Sequence, residues 1–318
     1  MAQRKKRGAR AKFAIGQALA KRAENRVEAQ EPVNGRKKKA GARAKDAIGD
    51  AIARRAESRA ESKAQRAAGS HLSLVRAPLV TQPGPGPVSE VRVATYNVHR
   101  WCGLNGRKPD AARAAYVISE LKADVIALQE VIRPRDQEDP LEMLSDALGL
   151  HLAFATTRPH KHGHLGNAIL SRFPLAGVSV IDISHSRIEK RGALAARLAN
   201  GDDELAVVAT HLSLVDRTRR RQVESLLQHP LLNAGPSVLL GDMNAWRRCK
   251  ATRELDAELS EHHNMDWPST FPSTAPVLAL DRVYARRAKI VNIEAHDTAA
   301  SRRASDHLPL IAHIELES

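Results

Sequence analysis

The sequence predicts an α/β domain in which sheets pack face to face with helices outside, carried behind a basic N-terminal arm. Three observations lead there. Beyond residue 90, short β-type segments outnumber helical ones and are interspersed with them, which suits packed sheets better than a simple doubly wound sheet. Of the 50 Lys and Arg residues, 20 fall in residues 1–70, against only 7 of the 36 Asp and Glu residues. A Pro/Gly-rich stretch from Ala77 to Pro87 separates the two regions. The expected organisation is an arm over residues 1–70, a linker over 71–89 and a folded domain over 90–318.

The arm is an internal duplication. Gly8-Ala9-Arg10-Ala11-Lys12-Phe13-Ala14-Ile15-Gly16 recurs as Gly41-Ala42-Arg43-Ala44-Lys45-Asp46-Ala47-Ile48-Gly49, 33 residues on. Each copy follows a basic cluster, Arg4 to Arg7 and Arg36 to Lys39. Ala, Arg, Lys and Glu favour helix, but the apolar content is mostly Ala and too thin for a core. Two short, marginal helices are expected. They serve either as a tether to nucleic acid or acidic phospholipid, or as a solvated charge run with no partner.

Composition excludes several classes. The chain of 318 residues is 42% hydrophobic, enough for a core, yet no apolar run approaches the roughly 18 residues of a membrane span. Cys102 and Cys249 are too few for a disulfide-stapled scaffold or a four-cysteine zinc site. Met1 to Ala20 starts basic and ends Ala18-Leu19-Ala20, but Gln17 interrupts the apolar part and the second copy carries Asp46 and Asp50. A signal peptide is therefore not expected, and a cytoplasmic location is. The net charge of +14 points to polyanionic partners, and its placement assigns them to the arm.

The domain's elements follow in order. Val91–Tyr96 alternates β-branched residues and reads as a strand. Pro109–Lys122 has helical spacing and a Pro-Asp start. Asp124–Leu128 is a buried-type strand, and Leu141–Leu148 a helix. Ala168–Ser171, Ser179–Ile183, Ala193–Leu198 and Leu205–Thr210 are strands. Arg219–Gln228 is a helix supported by Arg220 and Glu224 at i,i+4. Ser237–Leu240, Asp281–Ala285, Ile290–His296 and Leu308–Glu315 complete the set.

Chemistry gathers at the strand ends. Four strands end in Tyr96-Asn97-Val98-His99, Leu128-Gln129-Glu130, Thr210-His211-Leu212 and Gly241-Asp242-Met243-Asn244. Leu280-Asp281-Arg282 and Ser305-Asp306-His307-Leu308-Pro309 add to them. Apolar strands that deliver carboxylates, amides and imidazoles to their tips are how rigid scaffolds present reactive groups. Hard oxygen ligands without cysteine suit Mg2+, or Mn2+ in its place, and not zinc. Glu130 suits the ion, Asp242 suits a base for water, Asn244 suits a phosphoryl oxygen, and His211 and His307 suit developing negative charge. No Ser, Cys or Lys stands out as a nucleophile, so direct attack by water is expected. The set describes metal-assisted phosphoester hydrolysis.

These motifs resemble the endonuclease/exonuclease/phosphatase superfamily, whose fold is like deoxyribonuclease I. The likeness is carried by Thr95-Tyr96-Asn97-Val98-His99, Ala127-Leu128-Gln129-Glu130-Val131, Gly166-Asn167-Ala168-Ile169-Leu170-Ser171-Arg172 and Thr210-His211-Leu212. Gly241-Asp242-Met243-Asn244, Leu280-Asp281-Arg282 and Ser305-Asp306-His307-Leu308-Pro309 complete it, over residues 91 to 316. The resemblance implies a four-layer α/β sandwich with two central mixed sheets. It implies Glu130 as principal Mg2+ ligand, with Asn97 at metal or phosphate and Asp306 close by. It implies Asp242 aligning or deprotonating water, Asn244 holding the transition state, and His307 on the scissile phosphate, oriented by Asp281. His211 is similar to sphingomyelinase-like and DNase-like members. His99 stands where abasic-site enzymes tend to carry Asp; both features count against abasic-site repair. Asn167 and Arg191 are implied at the substrate phosphate.

Taken singly, each residue has an ordinary explanation. Asn97 suits a turn, Asp242 a helix cap, His211 a satisfied core position, and Arg191 a structural ion pair. Six in order at the strand ends of one domain favour the functional reading. His160-Lys161-His162-Gly163-His164 is expected in a mobile loop at the site's rim, with the residue types of a transition-metal site. Arg219-Arg220-Arg221 is expected on a solvated helix face, and Trp101, Trp246 and Trp267 are too scattered for a base-stacking platform. The expected activity is a Mg2+-dependent phosphodiesterase on nucleic acid. The alternatives are a lipid-headgroup phosphodiesterase or phosphatase at anionic membranes, and a non-catalytic polyanion-binding protein.

Overall fold

Alternating apolar residues give each central strand two buried faces, and those faces set the layers. The computed structural model describes residues 70–80, 87–104, 106, 109–135, 137–185, 189–201, 203–259 and 266–316. The expected arm helices, in residues 1–69, lie outside the described residues. The described strands are β1 (His71–Arg76), β2 (Glu90–Asn97), β3 (Val125–Arg133), β4 (His151–His160), β5 (Gly163–Ser171) and β6 (Leu175–Asp182). They continue as β7 (Gly192–Asn200), β8 (Asp203–His211), β9 (Ser237–Asp242), β10 (Asp281–Arg286), β11 (Ala288–Ala295) and β12 (Leu310–Leu316). The longer helices are α1 (Ala111–Leu121), α2 (Pro140–Leu148), α3 (Asp216–Leu227) and α4 (Lys250–Leu259).

One sheet has seven strands in the order β1-β4-β5-β3-β2-β12-β11, and the other five in the order β10-β9-β8-β7-β6. Val91, Val93, Val125 and Ala127 meet Leu194, Val207, Val238 and Leu240 between the sheets. The alternate residues Ala94, Tyr96, Ile126 and Leu128 face outward onto Ala114, Val117, Ile118 and Leu121 of α1 and Leu141 of α2. On the far side, Val208 and Leu239 pack beneath Val223 and Leu226 of α3 and Ala251, Leu255 and Leu259 of α4. Four layers result: helices, sheet, sheet, helices. Asp139 caps α2 by accepting from Leu141 N at 3.0 Å, with Pro140 opening the first turn. No helix among the described residues is long and apolar enough to cross a membrane.

Each sheet holds one parallel pair at its heart, β2 with β3 and β8 with β9. Parallel neighbours end on the same side, so Asn97 and the Glu130 turn come out together in one sheet, and His211 and Asp242 in the other. The crevice beyond such strand ends is where open α/β folds bind ligands.

The structure departs from the sequence reading at five places. The folded part begins before residue 90: His71–Arg76, assigned to the linker, is β1 and pairs antiparallel with β4. Its Leu74 packs on the outer core, a contact the proline-rich neighbourhood conceals. β4 was not expected: Pro159 and the alanines weaken its strand signal, although Phe154, Thr156 and Thr157 favour one. α4 was not expected either, although Ala251, Leu255 and Leu259 share one helical face. The His160–His164 run is not a separate loop: Lys161 and His162 form the tight turn of a β4–β5 hairpin. Arg219 is fully buried and not on a solvated face, whereas Arg220 does pair with Glu224 at 3.0 Å.

Candidate active site

Asp242 is the centre of the cluster. It ends β9 and is buried beside His211 in the β8–β9 register and Asp281 in the β9–β10 register. Its Oδ2 accepts from Asn97 Nδ2 at 3.1 Å, and its Oδ1 accepts from Asn244 N at 2.9 Å. His211 Nε2 and His307 Nε2 face the same Oδ2 at 3.5 and 3.7 Å. Burial pushes the Asp242 carboxyl well above the usual range, partly offset by the His307 charge. Gly241, just before it, has φ +150°, and a Cβ there would sit 1.9 Å from the Thr210 carbonyl. Only glycine lets β9 approach β8 this closely at the point where Asp242 is delivered.

His307 is held from its other side. Its Nδ1 lies 2.8 Å from Asp281 Oδ2, which also accepts from the Thr270 hydroxyl at 2.5 Å. The Phe271 ring packs on the imidazole with centroids 4.9 Å apart. Burial opposes its charge, but Asp281 and Asp242 outweigh burial and raise the pKa far above the usual value. His211 behaves oppositely: burial, with Arg191 and His307 nearby, lowers its pKa well below the ordinary value, so it is neutral near pH 7.

Ligand atoms of Asp242, Asp281 and His307 lie within 4.8 Å of one another, a spacing compatible with an ion. His307 faces both carboxylates, with Nδ1 2.8 Å from Asp281 and Nε2 3.7 Å from Asp242, so the same three residues are also placed to hold or pass a proton.

The oxygen-rich side lies at Asn97, Glu130 and Asp306. Two residues of β3, Gln129 and Glu130, bulge opposite the single Asn167 of β5, and Glu130 takes φ +54°. Burial raises its pKa, but the charges of Arg100, His99, Arg191 and Arg158 outweigh it and hold the carboxyl below the ordinary value. Arg100 Nε reaches Glu130 Oε2 at 3.4 Å, and His99 Nδ1 reaches Asp306 Oδ1 at 3.4 Å. Both carboxylates remain open to solvent on one side, with side chains 25% and 30% exposed. Glu130 and Asp306 each keep an accessible carboxylate, the kind of ligand Mg2+ takes together with waters and substrate oxygens.

His99, Arg100 and Trp101 all have positive φ, at 45°, 59° and 61°. Such a run costs roughly 1–3 kcal/mol per residue and persists only where the surroundings enforce it. Enforcement is visible: His99 N donates to Asn97 Oδ1 at 3.0 Å, and buried Trp101 donates its indole N–H to Ile132 O at 2.8 Å. Ser305 donates to the Asn97 carbonyl at 2.6 Å and ties the Asp306–His307 segment to the same turn. No glycine marks these three positions, so the left-handed turn is invisible in the sequence.

The remaining residues are more occupied than expected. Asn244, at φ +50°, donates one N–H to Leu212 O at 2.8 Å and keeps a second. Asn167 is buried and donates to Gly192 O at 2.9 Å, steadying the backbone beside Arg191. Glu189 Oε1 clasps Arg191 through Nε at 3.0 Å and Nη2 at 2.7 Å.

Arg219 was missed. Its Nη1 donates to the carbonyls of Ser213 at 2.8 Å, Leu214 at 3.2 Å and Asn244 at 2.9 Å. Its guanidinium also pairs with Asp216 and stacks on Trp246 at 5.6 Å. It thus joins the loop after His211 to the loop after Asp242. The available signal was the weakly apolar face of α3, which lacks an apolar residue in its first turn and buries Arg219 and Gln222 with Val223 and Leu226.

With fold and geometry described, the comparisons identify the chain's class. The sequence profile of the Endonuclease/Exonuclease/phosphatase family matches residues 94–307, and the chain belongs to that family. Members are phosphoester hydrolases, and so is this chain. It is 30% identical over 244 residues to the uncharacterized protein YbhP of Escherichia coli K12, covering 71% of this chain and 96% of YbhP. An endonuclease/exonuclease/phosphatase structure from Beutenbergia cavernae aligns with TM-score 0.56 and 23% identity, over 73% of this chain and 72% of that one. D. rerio TDP2, solved with a single-strand DNA product, aligns with TM-score 0.54 and 17% identity, over 71% and 99%.

Proposed function

We propose that this chain is a Mg2+-dependent phosphodiesterase that cuts nucleic acid by direct attack of water. The observation that carries the reading is one buried carboxylate, Asp242, ringed by Asn97, His211 and an Asp281-held His307. Glu130, Asn97 and Asp306 would hold the ion. When bound, Mg2+ supplies Lewis-acid polarisation of a phosphoryl oxygen.

The residues divide the remaining work. Asp242, its pKa raised by burial, accepts a proton from the attacking water. His307 stays protonated and places positive charge beside the phosphoryl oxygens, with Asp281 fixing its orientation. Asn244 turns its second N–H toward the same oxygens, and neutral His211 contributes a further dipole. Asn167 fixes the backbone from which Arg191 reaches substrate phosphate. Nucleic acid is the favoured substrate because of the basic residues 1–70 and because TDP2, of the same fold, was solved with DNA.

Cleavage of a labelled single-stranded oligonucleotide tests the reading. Activity is expected with Mg2+, lost in excess EDTA and restored by Mg2+ or Mn2+. Equal cleavage in EDTA would remove the ion from the reaction. Deleting residues 1–69 is expected to weaken DNA binding and flatten its salt dependence. Turnover of bis(p-nitrophenyl) phosphate should stay near the full-length value; its collapse would make the arm part of the centre.

Arg219 is proposed as a positioning residue. Arg219→Lys keeps a positive charge but loses the fork that spans two loops, so kcat is expected to fall about tenfold or more with KM little changed. A lower melting temperature with unchanged kcat would reduce Arg219 to a structural role.

A further inference from the structure

Two of the three tryptophans are spent inside the fold, and the third is not. Trp101 is buried and gives its indole N–H to Ile132 O at 2.8 Å. Trp267 packs on Tyr284 with centroids 5.2 Å apart and on the Arg282 guanidinium. Trp246 meets the Arg219 guanidinium, 5.6 Å from the ring centroid. The indole is otherwise partly open to solvent, and its N–H has no hydrogen-bond partner among the described residues. Tryptophan with one side packed and another open is the residue type favoured where proteins meet partners.

The backbone at this ring is fixed. The two carbonyls before Trp246 are held by buried arginines, Asn244 O by Arg219 at 2.9 Å and Ala245 O by Arg282 at 3.4 Å. Trp246 follows Asn244 by two residues, a span of at most about 7 Å. A nucleoside whose phosphate meets Asn244 is therefore within reach of the indole. Arg247 and Arg248 come next, both exposed. Arg247 pairs with Asp216 at 3.1 Å, and Arg248 has no ion-pair partner among the described residues. An accessible aromatic ring beside basic side chains is the combination that binds single strands without reading sequence, through base stacking and backbone charge.

We propose that Trp246 is the stacking surface for one nucleobase, that of a nucleoside joined to the scissile phosphate. The proposal rests on the phosphodiesterase reading above and deepens it: the favoured substrate is a nucleoside diester, not a bare phosphodiester. Trp246 is a binding residue here and takes no part in the chemical step.

The test compares thymidylyl-thymidine with two analogues, one lacking the 5′ thymine and one the 3′ thymine, using the full-length chain and Mg2+. Loss of one of the two bases is expected to lower kcat/KM by about 5- to 100-fold, the range of a single base stack. Trp246→Ala is expected to lower kcat/KM for thymidylyl-thymidine by the same factor and to leave that analogue within about twofold of its native value. Trp246→Phe is expected to restore part of the preference. Tyr116→Ala, which removes an exposed aromatic ring from α1, is expected to keep it in full. Equal rates on all three substrates in the native chain, or equal losses on all three in Trp246→Ala, overturn the stacking surface and return Trp246 to packing on Arg219. If no dinucleotide is cut, the phosphodiesterase reading fails, and indole fluorescence decides the stacking surface separately. Quenching by thymidylyl-thymidine that one analogue lacks, and that Trp246→Phe abolishes, supports it; absent or unselective quenching overturns it. Phosphatidylglycerol vesicles are the remaining probe: binding that Trp246→Ala weakens, with no preference among the dinucleotides, assigns the loop to a lipid surface and overturns the proposal.

Discussion

Asp242→Asn is expected to lower turnover by about 10^2–10^4-fold, the range typical of a lost general base. Asn matches Asp in shape and keeps an acceptor for Asn244 N, so a cooperative thermal transition should remain. What disappears is the basic oxygen that Asn97, His211 and His307 surround. Removing that negative charge also leaves His307 with Asp281 as its one close carboxylate. Steady-state rates on a short oligonucleotide, with a thermal melt for each protein, make the comparison. Turnover within about threefold of the native chain would exclude Asp242 as the base and leave it a backbone-capping role.

Glu130→Gln is expected to weaken divalent-ion binding by about 10–100-fold or more, since even outer-shell changes reach that range. The Mg2+ concentration for half-maximal activity should rise accordingly, and Mn2+ titration calorimetry should give the same shift without substrate. The structure supplies the reason. The bulge and the positive φ of Glu130 aim one accessible carboxylate outward, and Arg100 is its closest ion-pair partner among the described residues. Gln retains the shape and loses the charge. An unchanged Mg2+ requirement would place the ion elsewhere and return attention to Asp242, Asp281 and His307.

Much of the fold and of the candidate site is legible in the sequence, for one physical reason. Val125–Leu128, Leu205–Ala209 and Val238–Leu240 are apolar on both faces, as strands between two packed layers are, and Val91–Tyr96 alternates β-branched residues. The polar residues that end them therefore stand out, and the structure brings Asn97, His211, Asp242, Asn244, Asp281 and His307 into one connected group. What stays hidden depends on context. β1 is an edge strand whose exposed Leu72 and Val75 read as linker. The left-handed His99–Trp101 turn is imposed by Asn97 and Ile132 from outside, with no glycine to announce it. Arg219 sits in an arginine run, and nothing local tells the buried guanidinium from its exposed neighbours. The functional groups with weak local signals are those that hold others in place.

The placement of charge bears on substrate choice. Basic residues concentrate in residues 1–70, with 20 Lys and Arg against 7 Asp and Glu, while residues 71–318 carry 30 against 29. Under the proposed function, the arm would supply sequence-independent affinity and the site local phosphate recognition.

Hydrolysis of plasmid DNA, RNA and anionic phospholipid vesicles, measured in parallel with Mg2+ and with Asp242→Asn as control, tests the proposed activity most directly. The expected result is cleavage of nucleic acid that needs Mg2+, is abolished by Asp242→Asn and leaves the vesicles intact. Hydrolysis of the vesicles with both nucleic acids untouched, or an Asp242→Asn protein as active as the native chain, would contradict it.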